Sequence, residues 1–211
     1  MIFIIYNNLK IDICIISKLS GVVSMKEELK KSLLECPIVK KGEYNYFVHP
    51  ISDGVPLVEP KLLNEIIDYI VDNNDLSNVD KIIGPEAMGI PLATALSLRT
   101  GIPFVVVRKR SYGLEGEYQV HQQTGYSKNE LYINGIYEND NVLLIDDVVS
   151  TGGTLTSVIK ALDDMGVNLL KIIVPIEKDD GRLIVEEQTG HTIDTIIHMK
   201  MVDGKVTIID D

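Results

Sequence analysis

Basic charge is scarce in this chain of 211 residues. It carries 20 Lys and Arg against 31 Asp and Glu, a formal net charge of −11. That balance argues against a nucleic-acid-binding surface or one that adheres to an acidic membrane. Cysteine is scarcer still. Cys14 and Cys36 stand far apart without metal-ligand spacing, and read as free thiols of a reducing cytoplasm. No apolar run reaches the length of a membrane span. Residues 1–24 lack a basic start and a small-residue cleavage site, and Asn7, Asn8, Lys10 and Asp12 interrupt them, which speaks against a signal peptide. The length bounds the chain to one domain with an appendage, and is enough to bury a full core.

What the chain does have is concentrated in Asn141 to Leu155, NVLLIDDVVSTGGTL. Val142 to Asp146 read as a buried strand with an acidic pair, Asp146-Asp147, at its carboxyl end. A small turn follows, Ser150-Thr151-Gly152-Gly153-Thr154. Leu155, Val158, Ile159, Leu162 and Met165 then recur at the helical period. Strand, glycine turn and helix start make an anion site, because unpaired N–H groups and the positive helix end face one spot. Glycine lets the backbone approach the ligand closely. No Lys follows the glycines, which excludes a Walker loop. Two carboxylates beside a phosphate would repel it unless the ligand also presents hydroxyls or a bound Mg²⁺. A phosphorylated sugar satisfies both demands.

The flanking chain repeats the design. Lys81 to Gly84 read as a strand that enters Pro85-Glu86-Ala87-Met88-Gly89, with a helix from Ile90 to Arg99 ending before Gly101. Phe104 to Val107 form the next strand and deliver Arg108-Lys109-Arg110, the dense basic run, to a strand's carboxyl end, where α/β sheets bind ligands. Ser111 to Ser127, with Gly113, Gly116 and Gly125, read as a flexible loop. Leu170 to Pro175 are a strand that emits Glu177-Lys178-Asp179-Asp180-Gly181-Arg182. Thr192 to Lys200 and Lys205 to Ile209 flank Asp203-Gly204, a hairpin signal. Upstream, Met25 opens a helical pattern with Leu29, Leu33 and Leu34 on one face, Tyr44, Tyr46 and Val48 alternate as a strand, and Lys61 to Val71 form a helix behind Pro60. His49 reads as a structural loop histidine, since no partner for catalysis is visible.

The apolar strand, Asp-Asp, two apolar residues and small-Thr-Gly-Gly-Thr resemble the phosphoribosyl-diphosphate signature of type I phosphoribosyltransferases. The resemblance implies an α/β fold, a central parallel sheet flanked by helices with a small hood, and a reaction that uses Mg²⁺. Asp146 and Asp147 would hold ribose hydroxyls and, indirectly, the metal. Ser150, Thr151, Gly152, Gly153 and Thr154 would hold the 5′-phosphate. Ala87, Met88 and Gly89, with Arg108 and Lys109, would hold the leaving diphosphate, and a non-proline cis peptide would fall at Glu86–Ala87. The loop from Ser111 would fold over the substrates, which suits a cationic ribosyl transition state that water would attack. His121 within it reads as exposed.

Tyr44 to Pro60 is similar to the base-binding segment of adenine and xanthine phosphoribosyltransferases. Where the adenine enzymes carry their catalytic Glu this chain has Gly125, and where the hypoxanthine-guanine type carries an Asp it has Ser150, so the acid–base group stays unassigned. Glu177-Lys178 followed by Gly181-Arg182 is similar to the xanthine enzymes' loop that contacts the base. An ammonium donates without accepting, so Lys178 would pair with a 6-oxo group and reject a 6-amino group. As a whole the chain most resembles archaeal hypoxanthine/guanine phosphoribosyltransferases, through HPISDGVPLVEP, QQTGYSK and DDVVSTGGT. Implied are purine salvage, a cytoplasmic homodimer, phosphoribosyl diphosphate and a 6-oxopurine as partners, and neither nucleic acid nor membrane.

Two other readings stand beside this one. A transcription regulator could keep such a domain as a purine-metabolite sensor, but the residues before Tyr44 contain no convincing helix-turn-helix and the acidic balance opposes DNA. An enzyme for xanthine or adenine would share the same frame. The phosphoribosyltransferase domain is expected to run from Met25 to Asp211. Residues 1–24 are expected to be dispensable, with translation misplaced upstream of Met25. The alternative is an extra strand covering a sheet edge.

Overall fold

The computed structural model describes residues 26–42, 44–120 and 130–209. The appendage 1–24, His121 and Gly125 lie outside the described residues. In chain order the elements are α1 (Glu27–Glu35), β1 (Ile38–Lys41), β2 (Tyr44–Phe47), α2 (Pro50–Asp53), α3 (Pro60–Asn73), β3 (Lys81–Pro85), α4 (Gly89–Thr100), β4 (Phe104–Val107), β5 (Tyr118–Val120), β6 (Leu131–Ile133), β7 (Asn141–Ile145), β8 (Val148–Val149), α5 (Gly153–Asp164), β9 (Asn168–Lys178), α6 (Gly181–Thr189), β10 (Asp194–Val202) and β11 (Lys205–Ile209).

Strand β7 shows how the core is built. Leu143 and Ile145 pack into a cluster with residues of α1, α3 and α4, whereas Val142 and Leu144 pack with Leu155, Val158, Ile159 and Leu162 of α5. A strand covered on both faces has no solvent side, which is why its sequence is a continuous apolar run rather than an alternation. Burying these four side chains contributes on the order of 6–12 kcal/mol. That is ample to hold the acids of the next two positions partly out of water.

The main sheet has the order β11-β10-β9-β7-β3-β4, with β8 beside β9. The β10/β9, β9/β7, β7/β3 and β3/β4 pairs are parallel. Only β11 runs antiparallel, joined to β10 through Asp203 and Gly204, whose positive φ angles of 50° and 74° suit the tight hairpin. The chain leaves β3 outward to β4 and leaves β7 outward to β9. The strand order therefore reverses between β3 and β7, and the crevice at their carboxyl ends is where such a sheet receives ligands. β1 and β2 form a separate antiparallel pair off the main sheet. Among the described residues before Tyr44 there is one helix, α1, and no helix-turn-helix.

Three local expectations change. The segment from Ser111 is not loop throughout, because Tyr118–Val120 pairs antiparallel with Leu131–Ile133. Strand β9 runs on to Lys178, and Gly181 starts a helix, α6, rather than ending a loop.

His49 is structural, and its partners are now visible. It is fully buried at the start of α2. Its Nδ1 accepts from the Ile51 N–H at 3.2 Å, so the ring is neutral with its proton on Nε2, 2.8 Å from Ser32 Oγ. Burial pushes the imidazole from 6.5 down to about 4, against the pull of the Asp53 carboxylate. A depressed folded-state value means that the unfolded chain binds the proton first, so stability is lost as pH falls from about 6.5 through about 4. The full loss is roughly 3 kcal/mol. Urea unfolding at pH 7 and pH 4.5 should therefore show a larger acid penalty in the wild type than in His49→Asn, whose side chain can still cap α2. Equal penalties would contradict the assignment.

Candidate functional site

Four adjacent strands deliver the predicted residues to one edge of the sheet. Lys178 ends β9, Asp146 and Asp147 follow β7, Ala87 to Gly89 follow β3, and Arg108 and Lys109 follow β4.

The turn after β3 is packed tightly. The Glu86–Ala87 peptide is cis. A Cβ on Gly84 would lie 2.6 Å from the Gly89 carbonyl oxygen, and one on Gly89 would lie 3.0 Å from the Ile145 carbonyl oxygen. Glycine at these two places lets α4 start directly against the ends of both β3 and β7. No side chain caps α4 at Met88, nor α5 at Gly152. Both helix starts, one on each side of the switch point, thus keep free N–H groups for an anion.

The second turn is held from behind by α6. Gly152 has φ 72°, and an added Cβ would come within 2.2 Å of Val185 Cγ2. A Cβ on Gly181 would meet the Ser150 carbonyl oxygen at 2.4 Å and the Val149 carbonyl oxygen at 2.6 Å. The position of α6 is fixed in turn by Arg182, whose Nε donates to the buried Glu177 Oε2 at 2.9 Å. Thr151 and Thr154 of this turn are exposed.

The acidic pair is only partly accessible. The Asp147 N–H donates to Asp146 Oδ1 at 3.0 Å. Burial first, and the neighbouring Asp147 charge second, push the Asp146 carboxyl well above the ordinary carboxylate range, while Lys109 pulls the other way. Burial also raises Asp147, with the Asp53 charge adding to it. Two adjacent carboxyls whose charged forms burial disfavours suit a ligand that brings hydroxyl donors and a hard cation. Among the described residues no group of three or more His, Cys, Asp or Glu could hold a metal ion. The donor set fits a Mg²⁺ bound chiefly through water and substrate oxygens, which is that ion's habit.

Helix α2 stands beside the turn after β3. Burial raises the Asp53 carboxyl, but donation from the His49 N–H, the Tyr46 hydroxyl and the Ser52 hydroxyl outweighs it and holds the group low. Gly54 follows with φ 70°, and a Cβ there would lie 3.4 Å from Met88 Sδ, so this turn abuts the one after β3. Lys178 is buried, its Nζ 3.8 Å from Asp179 Oδ2.

Two carboxylates shape the strand-β4 side, Glu86 and one that sequence reasoning did not single out, Glu117. Arg108 Nε lies 2.9 Å from Glu86 Oε2. Glu117 gathers donations from the Ser111 hydroxyl, the Tyr112 and Gly113 N–H groups and the Asn134 amide, which hold its carboxyl down to about 2. Neither partnership is signalled by local spacing.

Comparisons with known proteins agree with this geometry. The phosphoribosyl transferase domain model matches residues 57–204. A Methanobacterium paludis protein named hypoxanthine/guanine phosphoribosyltransferase is 59% identical over 184 residues, 87% of this chain and 96% of its own. One of the same name from Methanocaldococcus infernus is 58% identical over 86% of this chain and 99% of its own. Among solved structures, adenine phosphoribosyltransferase from Thermoanaerobacter pseudethanolicus superposes with a TM-score of 0.64 at 24% identity, covering 81% of this chain and 99% of that one. The Leishmania tarentolae enzyme of that name gives 0.68 at 18% identity, covering 83% and 87%. These two share the fold. The match over most of the domain, the curated relatives at more than half identity and the paired anion turns at the switch point together place the chain: it belongs to the phosphoribosyltransferase family, in the branch whose archaeal members are named hypoxanthine/guanine phosphoribosyltransferase.

Proposed function

We propose that this protein serves purine salvage, transferring the 5-phosphoribosyl group of phosphoribosyl diphosphate to hypoxanthine or guanine with release of diphosphate. The observation that carries the reading is the arrival of an acidic pair, two uncapped helix starts and a buried lysine at the ends of four neighbouring strands. In the reaction the C1′–oxygen bond to diphosphate breaks, a purine ring nitrogen bonds to C1′, and the purine gives up one proton. Asp146 and Asp147 hold the ribose hydroxyls, and with water they would hold a Mg²⁺ ion, which would neutralise charge on the diphosphate. Ser150 to Thr154 receive the 5′-phosphate on the α5 amino-terminus, and Ala87 to Gly89 receive the diphosphate on that of α4. Rate comes from alignment and from stabilising the departing charge, not from a covalent step.

The testing assay follows diphosphate release with Mg²⁺, phosphoribosyl diphosphate and hypoxanthine, guanine, xanthine or adenine in turn. Turnover is expected with the first two. Efficient use of adenine alone would reject the reading of the base. Lys178 presents only donors and pairs with the 6-oxo group. Lys178→Ala should therefore raise the KM for hypoxanthine by the equivalent of about 1–3 kcal/mol, as for a hydrogen bond to a charged group. An unchanged KM would remove Lys178 from base recognition.

A further inference from the structure

Only two residues separate Lys178, the last of β9, from Gly181, the first of α6. The chain must turn sharply between them, and it does so at Asp179, which has a φ of 55°. A left-handed backbone is unfavourable for a residue with a Cβ, although Asp tolerates it better than most. The turn is held by β10. Met199 stands opposite Lys178 in the parallel pair, and its carbonyl accepts from the Asp179 N–H at 2.9 Å. His198 stands opposite Glu177, and its Nε2 lies 2.6 Å from the Asp179 carbonyl oxygen. A carbonyl only accepts, so this nitrogen carries the proton and donates it. Both backbone groups of Asp179 are thus bound to adjacent residues of one strand. A third contact, Lys200 Nζ to Asp180 Oδ1 at 3.3 Å, joins side chains that are 39% and 65% exposed, where water screens it.

We infer that His198 is a positioning residue for base recognition, whose bond to the Asp179 carbonyl fixes the turn that sets the Lys178 ammonium. The inference rests on the role of Lys178 proposed above. Lys178 is buried, and its Nζ lies 3.8 Å from the Asp179 carboxylate. The residue whose backbone bends is therefore also a charged neighbour of the ammonium. Without its donor, the peptide that joins Asp179 to Asp180 becomes free to rotate, and the carboxylate beside Lys178 moves with it. The start of α6 is less sensitive to that change. It has its own anchors, Arg182 on the buried Glu177 and Gly181 against the Ser150 and Val149 carbonyls. Release of the turn thus falls on the base and spares the 5′-phosphate. Lys200, whose ion pair lies in water, adds little to the hold.

The test has two arms. The first follows amide hydrogen exchange of residues 178–182 without ligands. His198→Leu should exchange there several-fold faster than the wild type. His198→Gln, whose side-chain amide can still donate to the carbonyl, and Lys200→Gln should not. The second arm measures kinetics with each of the four bases that the protein turns over. His198→Leu should raise the base KM about threefold to tenfold, the span of one ordinary hydrogen bond, and leave the KM for phosphoribosyl diphosphate within about twofold. His198→Gln should restore the base KM, which a role in packing alone would not predict. In a Lys178→Ala background His198→Leu should have no further effect, since residues that act through one another are non-additive. Unchanged exchange in His198→Leu, or faster exchange with an unchanged base KM, would overturn the inference. So would a full effect of His198→Leu in the absence of Lys178, or an equal rise in both KM values. Turnover with none of the four bases would refute the proposed reaction, while the exchange arm would still decide whether His198 holds the turn.

Discussion

Replacing Asp146 and Asp147 together by Asn is expected to abolish measurable turnover, a loss on the order of 10³-fold or more, which is the scale for removing positioned charge from a reacting site. The melting temperature should stay the same or rise. Both carboxyls are raised by burial, and Asp146 further by its neighbour's charge. A folded-state value above the unfolded one means that the folded protein binds more protons. Their contribution to stability is therefore present below the ordinary carboxylate value and disappears as pH rises through the raised one. The unliganded fold disfavours the charged forms, which Asn cannot adopt. Asn also keeps an oxygen for the Asp147 N–H, so the local hydrogen bond survives. Activity and stability should thus move in opposite directions, as they do where a site stores charge for its ligand. Near-normal turnover, or a marked drop in melting temperature, would show that these acids belong to the scaffold and not to the chemistry.

Gly181→Ala should be the most damaging single-methyl change near the site. The added Cβ meets the carbonyl oxygens of Ser150 and Val149 and the Cα of Ser150, at 2.4 to 2.7 Å. All three are backbone atoms, so no side chain can swing aside. Either α6 or the phosphate turn must shift. The α6 start is tied through Arg182 to the buried Glu177, so the turn carries much of the displacement. Misplacement by about 1 Å costs on the order of 10²-fold in rate, and the KM for phosphoribosyl diphosphate should rise with it. Gly190→Ala is the control, since a Cβ there meets nothing within 4 Å and the strain is confined to its φ of 76°. Kinetics for Gly181→Ala indistinguishable from those of Gly190→Ala would show that contact with α6 does not set the phosphate turn.

Much of this was legible because it is local. The β7 run, the acids after it and the glycine turn occupy consecutive positions, and burial on both faces leaves its mark as uninterrupted apolar sequence. Asp203-Gly204 announced its hairpin because two adjacent positive φ angles restrict the residues that fit. What escaped depended on partners elsewhere. Tyr118–Val120 is a strand only because Leu131–Ile133 pairs with it, so its own polar and glycine-rich surroundings read as loop. His49 lacked a visible partner because Ser32 is 17 residues away on another helix. Arg108-Lys109-Arg110 looked like three copies of one charge. The contact of Arg108 with Glu86 separates it from the other two, and Glu86 is 22 residues away in sequence. Gly181 read as part of a loop because its constraint is the approach of a turn from the neighbouring strand.

The Arg108–Tyr132 bridge also bears on how this molecule avoids its own kind. An open sheet ordinarily ends in two rows of unpaired backbone groups that another chain could extend. Here β11 closes one side as an antiparallel strand with α1 against it, and the other side carries the β5–β6 pair, joined to β4 at Arg108 by two hydrogen bonds. Arg108, whose side chain meets Glu86 in the turn after β3, thereby also joins the cover to the sheet's far margin. A change at Arg108 would therefore act on the turn after β3 and on the cover of this sheet edge at once.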